Sequence, residues 1–360
     1  MEINFHYILD QFLDISEFKA TPLGNGHIND TYLISSQQNS YVLQCLNSKV
    51  FPSPEKIMEN LTWISSFYKR RFPGKSFLTP IKSKNGQTFA YDDEKHLWRM
   101  FNYIKNTVTV EVVETEEQAY EAGRAFGEFQ NQFAEYNGPE LHETIKDFHN
   151  TKWRYKNFEA ASLEGDQDRI QKASKEIEWF RKHKDISNKL LDLYEEGLIP
   201  ERITHNDCKI NNLLLDRNNG SSVCVIDLDT VMPGLSLYDL GDLLRTITSP
   251  CPEDEEDLSK IHMRKNMCRE VIRGYLSEAD FLNQYELENV PFSGILLTYE
   301  NGMRFLTDYL LGDNYFKVHK EDHNLIRARS QIKLAESMLE AEREMQKYVY
   351  SITGINEAVR

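Results

Sequence analysis

Residues 203–216 read ITHNDCKINNLLLD, and residues 223–229 read VCVIDLD. The apolar runs LLLD and VCVID flank an Asn218-Asn219-Gly220 corner, which predicts a β-hairpin. Acids close the second run, so this strand is expected to deliver carboxylates to a cleft. Ahead of the hairpin stand His205, Asp207, Lys209 and Asn212. A lone His-x-Asp would be read as a polar turn between helix and strand. Here the polar residues recur at fixed offsets, and a strand–turn–strand unit can aim them at one point.

The surrounding sequence divides into two regions. Residues 3–18 carry apolar residues at helical spacing and predict a first helix. TPLGNGHINDTYLIS then predicts a hairpin around a Gly-Asn-Gly corner, YVLQCLN (41–47) a third strand, and EKIMENLTWISSFYKRR a helix with Pro54 near its first turn. An Asn85-Gly86 turn and HLWRMFNYI (96–104) add further β signals. The character changes at Lys105. Thr115 with Gln118 predicts a capping box, and Phe126, Phe129 and Phe133 space out along one helical face. A charged helical region spans about 152–196, with Ile177, Phe180, Leu190 and Tyr194 as apolar positions, and ends at Gly197. From Tyr238 onward the chain is mostly helical. This predicts an α+β, bilobal, protein-kinase-like fold. A small β-rich N-terminal lobe (1–104) ends in a hinge, and a larger, mainly helical lobe (105–360) follows.

Composition narrows the function. The 360 residues are 40% hydrophobic and 28% charged, with a net charge of -15. That is ordinary globular composition. The acidic balance argues against nucleic acid and anionic membrane as partners. MEINFHYILDQFLD lacks the basic start of a secretory signal, and no apolar run approaches a membrane span. The five cysteines, Cys45, Cys208, Cys224, Cys251 and Cys268, form no CxxC pair, so a zinc site or disulfide framework is not supported. A cytoplasmic location with reduced thiols is the expectation. No motif marks a partner protein, and the oligomeric state stays open, a monomer included.

Phosphoryl transfer to a hydroxyl needs a carboxylate to orient the hydroxyl and take its proton, ligands for Mg²⁺, and a cation near the moving group. The pattern H-x-D-x-x-x-x-N, with an Asp after the following hairpin, supplies these parts. Asp207 is the candidate base, Asn212 and Asp227 the candidate Mg²⁺ ligands, Lys209 the cation and His205 a brace for the loop. Asp229 is either an outer metal ligand or a group hydrogen-bonded in its own loop. Asp239 and Asp242 are expected to cap a helix and anchor the catalytic loop. Gly24, Asn25, Gly26 and His27 form a glycine-containing corner that can approach the phosphates of ATP. Phe101 and Tyr103 fall at the lobe boundary, where backbone groups are expected to contact adenine. One departure stands out: Gln44 occupies the strand position where a phosphate-pairing lysine is expected. Either other groups neutralise the phosphates, or the strand is aligned differently, or the protein is a poor kinase. No glycine of a DFG motif follows Asp227 and no APE motif closes an activation segment, which argues against a protein substrate.

With these motifs assembled, the chain resembles the aminoglycoside phosphotransferase/choline kinase-like superfamily. Within it, the chain looks like the N-acetylhexosamine 1-kinases. The resemblance covers nearly the whole chain and rests on PLGNGHINDTYL, YVLQCLN, THNDCKINNLLLD, VIDLDTVMPGLSLYDLGDLLR and ENGMRFLTDYLLGDNYFKV. It implies ATP and Mg²⁺ as cofactors and the anomeric hydroxyl of N-acetylglucosamine or N-acetylgalactosamine as acceptor. It also implies Asp207 as base, Asp227 as metal ligand, and Arg304 and Tyr315 in the sugar pocket. By residue type alone, Arg304 reads as a solvated arginine in a helix that runs into a Gly-Asp turn. The rival acceptors are another sugar, an aminoglycoside or a choline-like amine, which the acidic run Glu253–Asp257 could attract. A further rival is a non-catalytic sugar- or nucleotide-binding module.

Overall fold

The computed structural model describes residues 3–24 and 29–355. It has a β-sheet-rich N-terminal region and a mostly helical C-terminal region, and it separates into two compact units. The first is not cut once after residue 104. It contains residues 1–108 together with 135–146 and 214–233. A buried asparagine helps explain why. Asn60 donates to the carbonyls of His142 (2.8 Å) and Val231 (3.1 Å), and its side-chain oxygen accepts the His142 N–H. Both later segments are thereby tied to one helix, and no polar atom of Asn60 is left unsatisfied.

The centre of the first unit is a five-stranded antiparallel sheet. Its strands are β1 (Lys19–Pro22), β2 (Asp30–Ser35), β3 (Ser40–Cys45), β4 (Ala90–Tyr91) and β5 (Leu97–Asn102), in the spatial order β1-β2-β3-β5-β4. The register sets Lys19 opposite Ser35 and Gln44 opposite Arg99. One face carries Ile34, Leu43, Trp98 and Met100 and is covered by Ile8, Leu9 and Phe12. The N-terminal helix, α1 (Phe5–Asp10), is shorter than its periodicity predicts. Helix α2 (Pro54–Arg71) starts at its proline and buries Ile57, Leu61 and Ile64 on one side. The predicted later hairpin is formed by Leu213–Asp216 and Ser222–Val225, with Gly220 at φ 73° in the turn.

The second unit is built from helices α3 (Glu116–Phe133), α4 (Thr151–Glu164), α5 (Gln167–Lys172), α6 (Ser174–Lys182), α7 (Lys189–Glu195), α8 (Ser236–Thr248), α9 (Lys265–Leu276), α10 (Gln284–Glu288), α11 (Val290–Leu310) and α12 (His323–Thr353). The Thr115/Gln118 capping box opens α3 as predicted. Helix α11 is buried nearly all round, the mark of a central helix. Among the described residues, no helix is long and apolar enough to cross a membrane. Helices α3 and α9 touch backbone to backbone through glycines. A Cβ on Gly274 would sit 2.1 Å from the Tyr120 carbonyl oxygen, and one on Gly123 would sit 2.2 Å from that of Val271. Neither obstacle is a movable side chain. Gly274→Ala is therefore expected to cost at least about 1–3 kcal/mol, the usual range for overpacking. Thermal unfolding should show a fall of several degrees; an unchanged midpoint would mean the helices can part freely.

Candidate active site

The candidate catalytic loop lies in the second unit, and its shape is imposed by a buried carboxylate. Asp239, in the first turn of α8, has no exposed surface. Its carboxylate accepts the backbone N–H of His205 (2.8 Å) and Asn206 (2.7 Å), and the side-chain amide of Gln130 from α3. The Tyr275 hydroxyl donates to the other end of Gln130 at 2.9 Å. Burial pushes the Asp239 carboxyl up, against His205 and these hydrogen bonds, which favour the charged form. Asn206 takes a left-handed conformation (φ 65°), which asparagine tolerates better than most residues. The chain turns there and presents Asp207.

Asp207 is held from two sides. The Lys209 ammonium lies 3.0 Å from Oδ1. The Asn212 amide nitrogen donates to the Asp207 carbonyl (2.9 Å) and to Oδ2 (3.2 Å). That use of the nitrogen leaves the Asn212 carbonyl oxygen as its atom for a hard cation. The His205 ring sits edge-on to Phe126 and Phe129, and its Nδ1 accepts the Asp207 N–H at 3.3 Å. Cys208 is fully buried, and burial raises its thiol well above the usual range, so it fills space and is not a nucleophile. Asp242 pairs with Arg245 on the same helix.

In the first unit, Gly24 has φ 75°, while Asn25, Gly26 and His27 lie outside the described residues. Phe101 is buried in β5 opposite Val42. The Tyr103 N–H is taken by the Ser40 carbonyl at 3.1 Å, so it is not the group that would meet adenine. Asp227 is half-buried with φ 59°, just before the turn Leu228–Thr230. Asp229 is 2% exposed, and both of its oxygens are engaged: Oδ1 by Arg99 at 2.5 Å and Oδ2 by Asn29 at 2.7 Å.

A second constellation lies along α11 in the helical unit. Glu300 is wholly buried. His149 Nδ1 lies 3.0 Å away, Arg154 3.5 Å and Arg304 3.9 Å. His149 reaches the Asn206 carbonyl with its other nitrogen, at 3.3 Å. Burial pushes the Glu300 carboxyl up, but His149 and the two arginines hold it below its ordinary value. Arg154 and Arg304 also line a cavity of about 150 Å³ together with Trp153, Asn157, Tyr315 and Phe316. The Arg304 guanidinium lies over the Phe148 and Phe316 rings. Burial, with Arg304 nearby, lowers Arg154 to about 10. The cavity's carboxylate, Asp308, is already used. It accepts the N–H groups of Asn314, Tyr315 and Phe316 and the amide of Asn324, and so fixes the turn carrying Tyr315.

Residues 19–259 match the Phosphotransferase enzyme family. The chain belongs to that family. It is a phosphotransferase of the APH type. Its fold is similar to that of a microcompartment-associated aminopropanol kinase (17% identity, 95% of this chain and 96% of the other covered, TM-score 0.67). It is similar also to the amicoumacin kinase hAmiN, solved with AMP-PNP, Ca²⁺ and Ami (14%, 88% and 88%, 0.56). A third similar fold is the choline kinase LicA of Streptococcus pneumoniae (13%, 89% and 95%, 0.52).

Several residues of this phosphotransferase escape the motif reading. Glu300 and His149 stand in apolar and loop sequence with no offset to mark them. Arg154 lies in a helix whose pattern reads as a solvated face. Only Arg99 left a trace, as an arginine inside the apolar strand LWRMFN.

The electrostatics of Asp207 give a pH prediction. Burial alone would raise its pKa, but Lys209, then His205 and Arg245, hold it below the ordinary carboxylate value. The ionised form, the one able to accept a proton, therefore persists as pH falls. Lys209→Met removes the largest opposing charge, so the carboxyl should protonate at higher pH. The acid limb of kcat/KM should move upward in Lys209→Met relative to wild type. A limb that stays put in a folded variant would show that Asp207 is not the titrating group.

Proposed function

We propose that this phosphotransferase moves the γ-phosphoryl group of ATP to the anomeric hydroxyl of an N-acetylhexosamine, N-acetylglucosamine or N-acetylgalactosamine. The observation that carries the reading is the charge of the cavity on α11. Two guanidiniums, Arg154 and Arg304, line it, and its carboxylate Asp308 is consumed by four donors. Such a cavity offers donors to hydroxyl and amide oxygens, and Trp153 and Tyr315 supply faces for a sugar ring. It would repel an ammonium group. The acidic run that might attract an amine is also occupied. Glu253 pairs with Arg245, Asp254 with His323, Glu255 with Lys260 and Glu256 with Lys320, and Asp257 caps Ser259.

In this reading Asp207 orients the acceptor hydroxyl and takes its proton. The transition state of phosphoryl transfer is loose, so orientation and charge matter more than a strong base. A carboxylate kept ionised by Lys209 suits that role. Lys209 would steady the transferring group. Mg²⁺, when bound, neutralises the β- and γ-phosphates. Asn212 and Asp227 are assigned to hold it because an amide oxygen and a carboxylate are the hard donors it prefers, and because the motif sets them at these offsets from the base.

The test is ³¹P NMR of the product from ATP, Mg²⁺ and each N-acetylhexosamine, with choline and aminopropanol in parallel. A phosphorus signal coupled to an anomeric proton is expected from the sugars, and none from the amines. Product from the amines alone would overturn the substrate assignment. Asp207→Asn should keep ADP affinity and lose about 10²–10⁴ in kcat, the range of a removed proton acceptor. Near-normal turnover would remove Asp207 as base. Arg304→Ala should raise the sugar KM about tenfold or more, as loss of a charged hydrogen-bond donor does, and leave the ATP KM unchanged. An unchanged sugar KM would detach this cavity from the acceptor.

A further inference from the structure

Arg99 is among the largest fully buried side chains of the protein, yet it stands in the middle of a sheet strand. A buried guanidinium persists only where partners are in place. Across the β3–β5 register it faces Gln44. Its Nε donates to Gln44 Oε1 at 3.0 Å, Nη1 reaches Asp229 at 2.5 Å, and its plane lies over the Phe101 ring. Gln44 is itself oriented, because its amide nitrogen donates to the Thr31 hydroxyl at 3.0 Å. The other Asp229 oxygen accepts from Asn29, whose carbonyl accepts the Asn47 N–H at 3.1 Å. All these groups belong to the first unit. The pair therefore ties the turn Leu228–Thr230 to β5, to the start of β2 and to the end of β3. Asp227 is the residue on which that turn begins.

We propose that Asp229 is a positioning residue and not a metal ligand. Paired with Arg99, it fixes the turn that aims Asp227. Arg99, seated by Gln44, takes on this sheet the structural place of a strand lysine. This rests on the assignment of Mg²⁺ to Asp227. It also accounts for Gln44. Arg99 needs an acceptor opposite its Nε, and a lysine there would set an ammonium against a guanidinium in a buried site. Gln44→Lys should accordingly lower the melting temperature and not raise activity.

The decisive experiment measures two quantities for Arg99→Lys, Arg99→Gln, Asp229→Asn and Asp227→Asn. One is the melting temperature of protein free of metal and nucleotide. The other is Mn²⁺ affinity in the presence of ADP, read by electron paramagnetic resonance. If Asp229 acts as an anchor, Arg99→Gln and Asp229→Asn both melt lower without metal, since each strands a buried charge. Both should lose about 10- to 100-fold in Mn²⁺ affinity, the range for groups that orient a ligand. Arg99→Lys keeps the charge but not the bond to Gln44, and should lose several-fold. If Asp229 were instead a ligand, Asp229→Asn would lose Mn²⁺ while Arg99→Gln bound it as well or better, because a competing cation would be gone. That outcome, or an unchanged melting temperature in metal-free Asp229→Asn, overturns the proposal. Asp227→Asn separates the two assignments. Metal binding that survives it removes Asp227 as a ligand, and the metal-free melting temperatures still decide whether Asp229 is an anchor.

Discussion

A single buried carboxylate sets the geometry of the loop that carries Asp207. Asp239 accepts two successive backbone N–H groups, from His205 and Asn206, so the chain just before Asp207 has almost no freedom. The depth of that carboxylate is fixed in turn by helix packing. Two residues further along α8, a Cβ on Gly241 would lie 2.4 Å from the Ser293 carbonyl oxygen of α11. The helices meet backbone to backbone, and α8 can neither tilt nor slide without a clash. A buried carboxylate is costly unless its lone pairs are used. Here the backbone and Gln130 use them, which makes any other course of the loop more expensive than the observed one.

Helix α11 therefore serves two tasks. It presses on α8 and so sets Asp207 indirectly, and it carries Glu300 and Arg304 toward the cavity. The links run Arg304 to Glu300, Glu300 to His149, and His149 to the Asn206 carbonyl. Glu300 is surrounded by three basic side chains, so it orients them without presenting a negative face. The cavity keeps its donors. Buried charge networks of this kind add little net stability, but breaking one partner is severe. Their effect is to hold geometry.

Much of this was legible in the sequence because it depends on short-range rules. The β-rich start, the capping box at Thr115 and the hairpin around Gly220 follow from periodicity and turn chemistry. The periodicity over 3–18 overstates the N-terminal helix, because it does not reveal where the chain must turn to enter β1. A domain boundary at residue 104 missed two later segments, since the tie through Asn60 spans 82 and 171 residues. His149 and Glu300 are 151 residues apart, and Arg99 and Asp229 are 130 apart. Pairs this distant have no local signature when only one sequence is read.

The acids around the hairpin show where motif reading runs out. The stretches VIDLD and YDLGD hold Asp227, Asp229, Asp239 and Asp242, four carboxylates of similar appearance. Their environments separate them. Asp239 is saturated by two backbone N–H groups and Gln130, and Asp229 by Arg99 and Asn29, while Asp242 is held at Oδ1 by Nε and Nη2 of Arg245. A carboxylate whose lone pairs are filled by fixed donors has already exchanged its reactivity for position. Asp207 differs in kind. Its closest charged partner, Lys209, is half-buried and on a flexible stem, so that donor is not fixed in the same way. The division between structural and chemical acids therefore follows from what donates to each one, and that is decided by side chains remote in sequence.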